Sequence, residues 1–485
     1  MKCKFKNYML LFIFLAFGLH LQAQDRPVFT TVDFSRHLQE WDGFGVNYVE
    51  VAQTQDYERW TQEYGGFSLL SEQERQEILQ MIFGANGLKP SIIKMFFDPF
   101  HQEEPGAEFD HETTTEWMRY FVRQGMDISA ERGQDIEIIT TLYGPPAWAT
   151  KQRILRGRDL DMDQKEELAN YMIDWVKFLT EKEKFPVKYL SLHNEGDAPN
   201  RWPIDGKTGN LGTGHDYNAF WRPVQVADFI AFMRPMMDRT GLNDVGITPG
   251  ETTRWKNFSS HWYHWAIHDN PGAMDNIGLV TSHGFGSSEE IISDGIDLLR
   301  LKRPGLHAWT TSMTWGKKHT TNYMFADLIR MNIYQAKVNA VIPWACIQTD
   351  TWVGGDPNPG TAFFVNADST YDIKPQYYYY KQLTTAGFPG MTVAPVMTTR
   401  NSDIDLIAFS GNGTEHPDAF IVLNTGGDHK NVMVKVNGTG SDAFRVFRTC
   451  EATRDMYSDQ GVLEIVNGYI EYTAPGGSVT TFYAE

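Results

Sequence analysis

Along most of the chain, short apolar runs alternate with longer segments whose apolar residues recur every three or four positions. That is how strands alternating with helices read. Counting from Phe44, the strand-like runs are 44–48, 91–97, 136–143, 187–193, 245–248, 277–282, 307–311 and 340–345. Helical spacing marks 71–83, 115–132, 163–184, 226–239 and 323–337. Ser71 and Glu74 are spaced as a capping box, Leu168, Met172, Val176 and Leu179 share one helical face, and Gly241 closes the fourth helix. The short apolar run that stops abruptly at the polar triplet His193-Asn194-Glu195 reads as a buried parallel strand whose end opens into a site. Eight strand-like runs, mostly separated by helices, predict an α/β fold, a (β/α)8 TIM barrel. The other arrangement is a doubly wound sheet, but no glycine-rich dinucleotide fingerprint opens any helix.

From about Thr392 the texture changes to short strands at 405–409, 419–424, 432–436, 444–447, 463–466, 469–473 and 479–483, separated by Asn-Gly and Gly-Gly turns. These predict an appended C-terminal β-sandwich. The run 28–34 precedes the first barrel strand and is assigned to that sandwich. The expected division is a signal peptide at 1–23, an N-terminal strand of the sandwich within 24–40, the barrel at 41–388 and the sandwich at 389–485.

Residues 1–23 read as an export signal: Lys2, Lys4 and Lys6, an apolar run from Met9 to Leu21, and a small-residue cleavage site ending at Ala23. A periplasmic or secreted protein is expected, without a membrane span, because the run is too short for one. Beyond the leader only Cys346 and Cys450 remain, which make neither a disulfide framework nor a metal-ligand spacing. No metal or other cofactor is expected. The formal net charge of −18 disfavours nucleic acid as a partner.

Barrel enzymes place their chemistry at the C-terminal ends of the strands. Those ends offer Asp98 and His101, Trp148, His193-Asn194-Glu195, Glu251, His283, Thr311-Ser312, Trp344 and Asp350. A carboxylate ending a buried strand, as Glu195 does, costs free energy unless its charge is used or paired. There is no G-x-S-x-G elbow and no phosphate-cradling loop, and His264 and His268 lack the carboxylate motif of a metal site. Carboxylates and aromatics at a barrel mouth fit glycosidic bond cleavage, in which one acid protonates the leaving oxygen and a second carboxylate stabilises or attacks the anomeric carbon. Glu195 is the candidate acid, and Asn194 would hold a ring hydroxyl. Trp148 and Trp344 either stack on sugar faces or pack the core. His283 and Asp98 complete the candidate substrate contacts.

Trp41-Asp42-Gly43-Phe44-Gly45, Tyr143-Gly144-Pro145-Pro146-Ala147-Trp148, His193-Asn194-Glu195 and Pro343-Trp344 together resemble glycoside hydrolase family 30 of clan A, nearest its endo-β-1,6-galactanase-like branch. The resemblance spans nearly all of the mature chain and implies a retaining β-glycosidase acting on carbohydrate, with Glu195 as acid/base. The family's nucleophile is a Glu ending the seventh strand. Here the matching stretch is Trp309-Thr310-Thr311-Ser312-Met313, so Ser312 stands in the nucleophile's place. Two readings follow. In the first, a hydrolase keeps Glu195 and recruits another carboxylate, Glu251 ahead of Asp98 and Asp350; for Glu251 the alternative is a salt bridge to Arg254. In the second, a carbohydrate-binding protein has lost catalysis.

Overall fold

The computed structural model describes residues 26–49, 65–155, 157–199, 218–315, 322–349 and 360–485; the leader and Asp350 lie outside them. In chain order the strands that matter for the site are β1 (Val28–Asp33), β2 (Gly43–Asn47), β3 (Ile92–Phe97), β4 (Glu137–Leu142), β5 (Val187–Ser191), β6 (Gly246–Thr248), β7 (Glu251–Thr252), β8 (Val280–Ser282), β9 (Ala308–Met313) and β10 (Ala340–Pro343). All but β1 lie in one sheet, in the order β6-β5-β4-β3-β2-β10-β9-β8-β7, and every pairing is parallel.

β6 and β7 are two halves of one strand. They are parted at Pro249-Gly250, where proline removes a ladder donor and Gly250 takes φ +91°. The two ends of the sheet therefore belong to the same strand, and the barrel closes on it. The fifth strand, expected at 245–248, restarts after the bend. Helices Glu72–Phe83, Glu116–Glu131, Lys165–Lys177, Pro223–Arg239 and Met324–Tyr334 pack outside. Ser71 caps the first with both halves of the capping box formed. The helix expected over 163–184 passes after Lys177 into a π turn, Phe178–Lys182, a wider winding than the α pattern assumes.

Side chains alternate inward and outward along a strand, so the interior is layered. Ile92, Ile139, Leu279, Trp309, Ala340 and Ile342 form a closed apolar floor. Two residues on from Ile92 and Ile139 come Lys94 and Thr141, both buried and polar. Two further on come Phe96 and Tyr143, with ring centroids 5.3 Å apart, and Trp344 lies 5.6 Å from Phe96. A polar layer is thus held between an apolar floor and an aromatic upper ring.

The C-terminal part is two sheets. β1 lies between Val396–Thr398 and Lys430–Asn437 in a four-stranded sheet, and a six-stranded antiparallel sheet faces it. Val32, Val434 and Ile470 meet Phe420, Val422 and Phe482 between the sheets. The six-stranded sheet also buries its other face, sending Ile407, Phe409 and Ile421 into the barrel's own core. This explains why strand Ala419–Asn424 is buried throughout. The strand expected at 463–466 instead runs over Asp455–Glu464 at the sheet's edge. An edge strand has one neighbour and tolerates charge, so its apolar signal is weak.

Candidate active site

Glu251 is the centre of the polar layer. The bend at Pro249-Gly250 lets the backbone pair anew: Glu251 donates its N–H to His193 O at 2.8 Å, and Glu195 donates its N–H to Glu251 O at 2.7 Å. Glu195 has φ +50°, a left-handed conformation that costs a non-glycine residue free energy and that clusters at functional sites. Gly250 and Gly196 allow this closure around His193. A Cβ on Gly250 would lie 2.2 Å from His193 Cδ2, and one on Gly196 would lie 2.9 Å from its Cγ. His193 accepts the Gly196 N–H on Nδ1 at 3.0 Å. Burial pulls its imidazole down to about 3, against the pull of Glu251, so it is neutral and carries its proton on Nε2.

The Glu251 carboxylate is wholly buried. Lys94 Nζ donates to its Oε2 at 2.5 Å, Thr141 Oγ1 to its Oε1 at 2.9 Å, and His283 Nε2 lies 3.1 Å from Oε2. Burial alone would raise its pKa. The Lys94 ammonium and the His283 bond outweigh burial and hold it at about 2. The other ring nitrogen of His283, Nδ1, lies 2.9 Å from Glu195 Oε1. Burial lowers the His283 pKa, but its bonds to Glu195 and Glu251 outweigh burial and raise it. Lys94 Nζ also donates to Ser312 Oγ at 3.1 Å and sits 4.5 Å from the Phe96 ring centre.

Of the residues named from the sequence, Glu195, Glu251, His283 and Ser312 meet in this one network, and Asn194 forms a backbone bridge with Glu251. Glu195 is 8% exposed, against 0–2% for the other four. Glu251 makes no pair with Arg254, which binds Glu290 at 3.2 Å instead, because a strand residue facing the barrel interior cannot also reach the outer loop. Trp344 joins the aromatic layer above Lys94. Trp148 is packed: its Nε1 donates to Gln102 O at 3.0 Å, and its ring meets the edge of Tyr171. Asp98 belongs to another cluster. Its carboxylate accepts the Phe100 N–H at 2.9 Å and lies 4.0 Å from His101 Nε2, while its backbone oxygen accepts from Tyr171. Burial raises its pKa to about 7.

Lys94 and Thr141 were not singled out from the sequence. The sign was present for Lys94: a lone cation inside the run Ile92-Ile93-Lys94-Met95-Phe96-Phe97 must find a buried anion.

The arrangement can hold a carboxylate at the mouth, keep a proton beside it, and anchor both to a buried ion pair. No family model matches the chain, and no curated protein does. Solved structures do. An endoxylanase of glycoside hydrolase family 30 from Clostridium papyrosolvens is 18% identical, with a TM-score of 0.66 over 94% of this chain and 99% of that one. The family 30 subfamily 8 xylanase from Clostridium acetobutylicum is 17% identical, with a TM-score of 0.69 over 94% and 99%. An endo-β1,6-glucanase is 16% identical, with a TM-score of 0.67 over 94% of each chain. Barrel and sandwich together, the fold of this chain is that of the family 30 glycoside hydrolases.

Proposed function

We propose that this chain is a secreted glycoside hydrolase acting on β-linked oligo- or polysaccharide, with Glu195 as its general acid/base. The observation that carries the reading is the place of Glu195: the most exposed member of a buried charged network, at the end of a barrel strand, in a left-handed conformation. Asn194 and His283 stand beside it, and Trp344 supplies an aromatic wall. Glu195 protonates the leaving oxygen, and water captures the sugar cation on the side where the family resemblance puts Ser312 in place of a longer carboxylate, releasing its extra proton to solvent. Lys94 does not oppose that cation with a free charge, since Glu251 cancels it at 2.5 Å. Glu251 serves here as a counter-ion rather than as the attacking carboxylate. The export signal read from residues 1–23 supports action in the periplasm or outside the cell, and the sequence resemblance to the endo-β-1,6-galactanase-like branch supports including β-1,6-linked polymers among the substrates tested.

The test is incubation with a panel of β-linked oligosaccharides, following products and their anomeric configuration by NMR. Release that falls about 10²–10⁴-fold in Glu195→Gln is the expected result. No release from any member of the panel overturns the reading. A second reading, a carbohydrate-binding protein without turnover, is favoured by one observation: Glu251, the second carboxylate of the network, is fully buried and paired with Lys94. Tight binding without release is its signature.

A further inference from the structure

The hydrogen bonds around His283 fix how many protons the site holds. His283 Nδ1 lies 2.9 Å from Glu195 Oε1, and Nε2 lies 3.1 Å from Glu251 Oε2. Each nitrogen–oxygen contact needs one proton between its atoms, because two lone pairs facing each other at that distance repel. Glu251 is not the source of either. Its two oxygens already accept from Lys94 at 2.5 Å and Thr141 at 2.9 Å, and a carboxylate beside a buried ammonium stays ionised. The proton toward Glu251 therefore sits on Nε2. The second proton belongs to the Nδ1–Glu195 contact, either as imidazolium against carboxylate or as imidazole against carboxylic acid. In both forms the pair carries one proton more than a free neutral imidazole and a free carboxylate would.

We propose that His283 is the proton store of Glu195, kept doubly protonated by Glu195 on one side and, on the other, by Glu251, which Lys94 keeps ionised. This deepens the reading of Glu195 as an acid and rests on it for its purpose. An ordinary glutamic acid titrates near 4.3 and has lost its proton by neutral pH. Here the Nδ1–H bond breaks as the Oε1–H bond forms, which leaves a neutral imidazole still donating from Nε2 to Glu251. The carboxyl group then turns about its last torsion and gives that proton to the leaving oxygen, and water reprotonates the imidazole. His283 thus positions and supplies a proton and does not itself touch the sugar.

The charged groups facing the ring assign each neighbour a part. Glu195 and Glu251 hold the second proton on it. Lys94 is a like charge whose effect Glu251 absorbs. His193 is neutral and adds none. Ser312 completes the arrangement, since a neutral acceptor at 3.1 Å leaves the Lys94 charge to Glu251, where a carboxylate at that position would compete for it.

The test needs no substrate. Full-length protein labelled with ¹⁵N in its histidine rings is titrated by long-range ¹⁵N–¹H NMR, with the His283 signals identified by their loss in His283→Gln. Both nitrogens protonated at pH 7 in the wild type, with the ring's titration midpoint falling by at least one pH unit in Glu195→Gln, is the expected result. A neutral ring at pH 7, or a midpoint unmoved in Glu195→Gln, overturns the proposal. Because no turnover enters, a protein that cleaves no saccharide defeats the proposed function and leaves this result standing, while a neutral ring in an active enzyme does the reverse.

Discussion

Around Glu251, the side chains of Lys94, His283 and Glu195 lie in contact with alternating sign. Around Asp98, the neighbours are an imidazole and a phenol that burial keeps uncharged, His101 and Tyr171. Both clusters are buried at barrel strand ends, and each must remove the cost of an ion without water. The first keeps its charges and matches each with an opposite one. The second gives its charge up: the Asp98 carboxylate accepts one backbone hydrogen bond, from Phe100, His101 Nε2 has no hydrogen bond among the described residues, and the acid stays protonated to about pH 7. A buried carboxylate is thus no functional signal by itself. What distinguishes Glu251 is the cation brought to it.

The largest effect that can break this contrast comes from removing that cation. Lys94→Ala strands a buried carboxylate and is expected to cost about 3–5 kcal/mol of stability in urea unfolding. The double variant Lys94→Met/Glu251→Gln, which removes both charges, should recover most of the loss. A single-variant loss below about 1 kcal/mol would mean that the pair is not what secures the layer.

The Asp98 cluster should instead lose stability as pH rises. Unfolded, Asp98 ionises near 4; folded, near 7. Below pH 4 both states hold the proton and nothing is lost. Between 4 and 7 the wild type loses stability as pH rises, and above 7 the loss is complete, on the order of a few kcal/mol by linkage. Asp98→Asn cannot ionise, so its Tm advantage over the wild type should grow from pH 4 to 7 and then level. An advantage independent of pH would show that packing, not charge, sets the Asp98 cluster. The smallest of the three effects is expected at the bend: Gly250→Ala puts a methyl group against His193 at a left-handed position and should cost about 1–3 kcal/mol in thermal unfolding.

Much of the barrel was legible because parallel strands buried on both faces must be apolar runs, and Ser71-x-x-Glu74 marked its helix start as it formed. What escaped had physical reasons. Asp455–Glu464 is an edge strand with Asp455 and Asp459 paired to arginines, so its sequence reads as loop. Phe178–Lys182 winds wider than the α repeat. At the site, Glu195 stood out as a carboxylate ending a strand, whereas Lys94 lay hidden in mid-strand because its meaning depends on Glu251, 157 residues away. Glu251 itself was legible as a strand-end acid, but its partner was not, since the spacing to Arg254 suggested a local pair that the bent strand forbids.

The burial of the Lys94–Glu251 pair has a consequence for the medium in which the protein works. Dissolved ions screen exposed charges over about 8 Å at physiological ionic strength, but they do not reach a pair buried inside the barrel. The −18 surface should therefore respond strongly to salt, in solubility and in the approach of charged molecules. The protonation of Glu195 and His283 is anchored to a counter-ion that salt does not reach. The site would keep its pH response from dilute to saline surroundings, its acidity set by the fold rather than by the water outside.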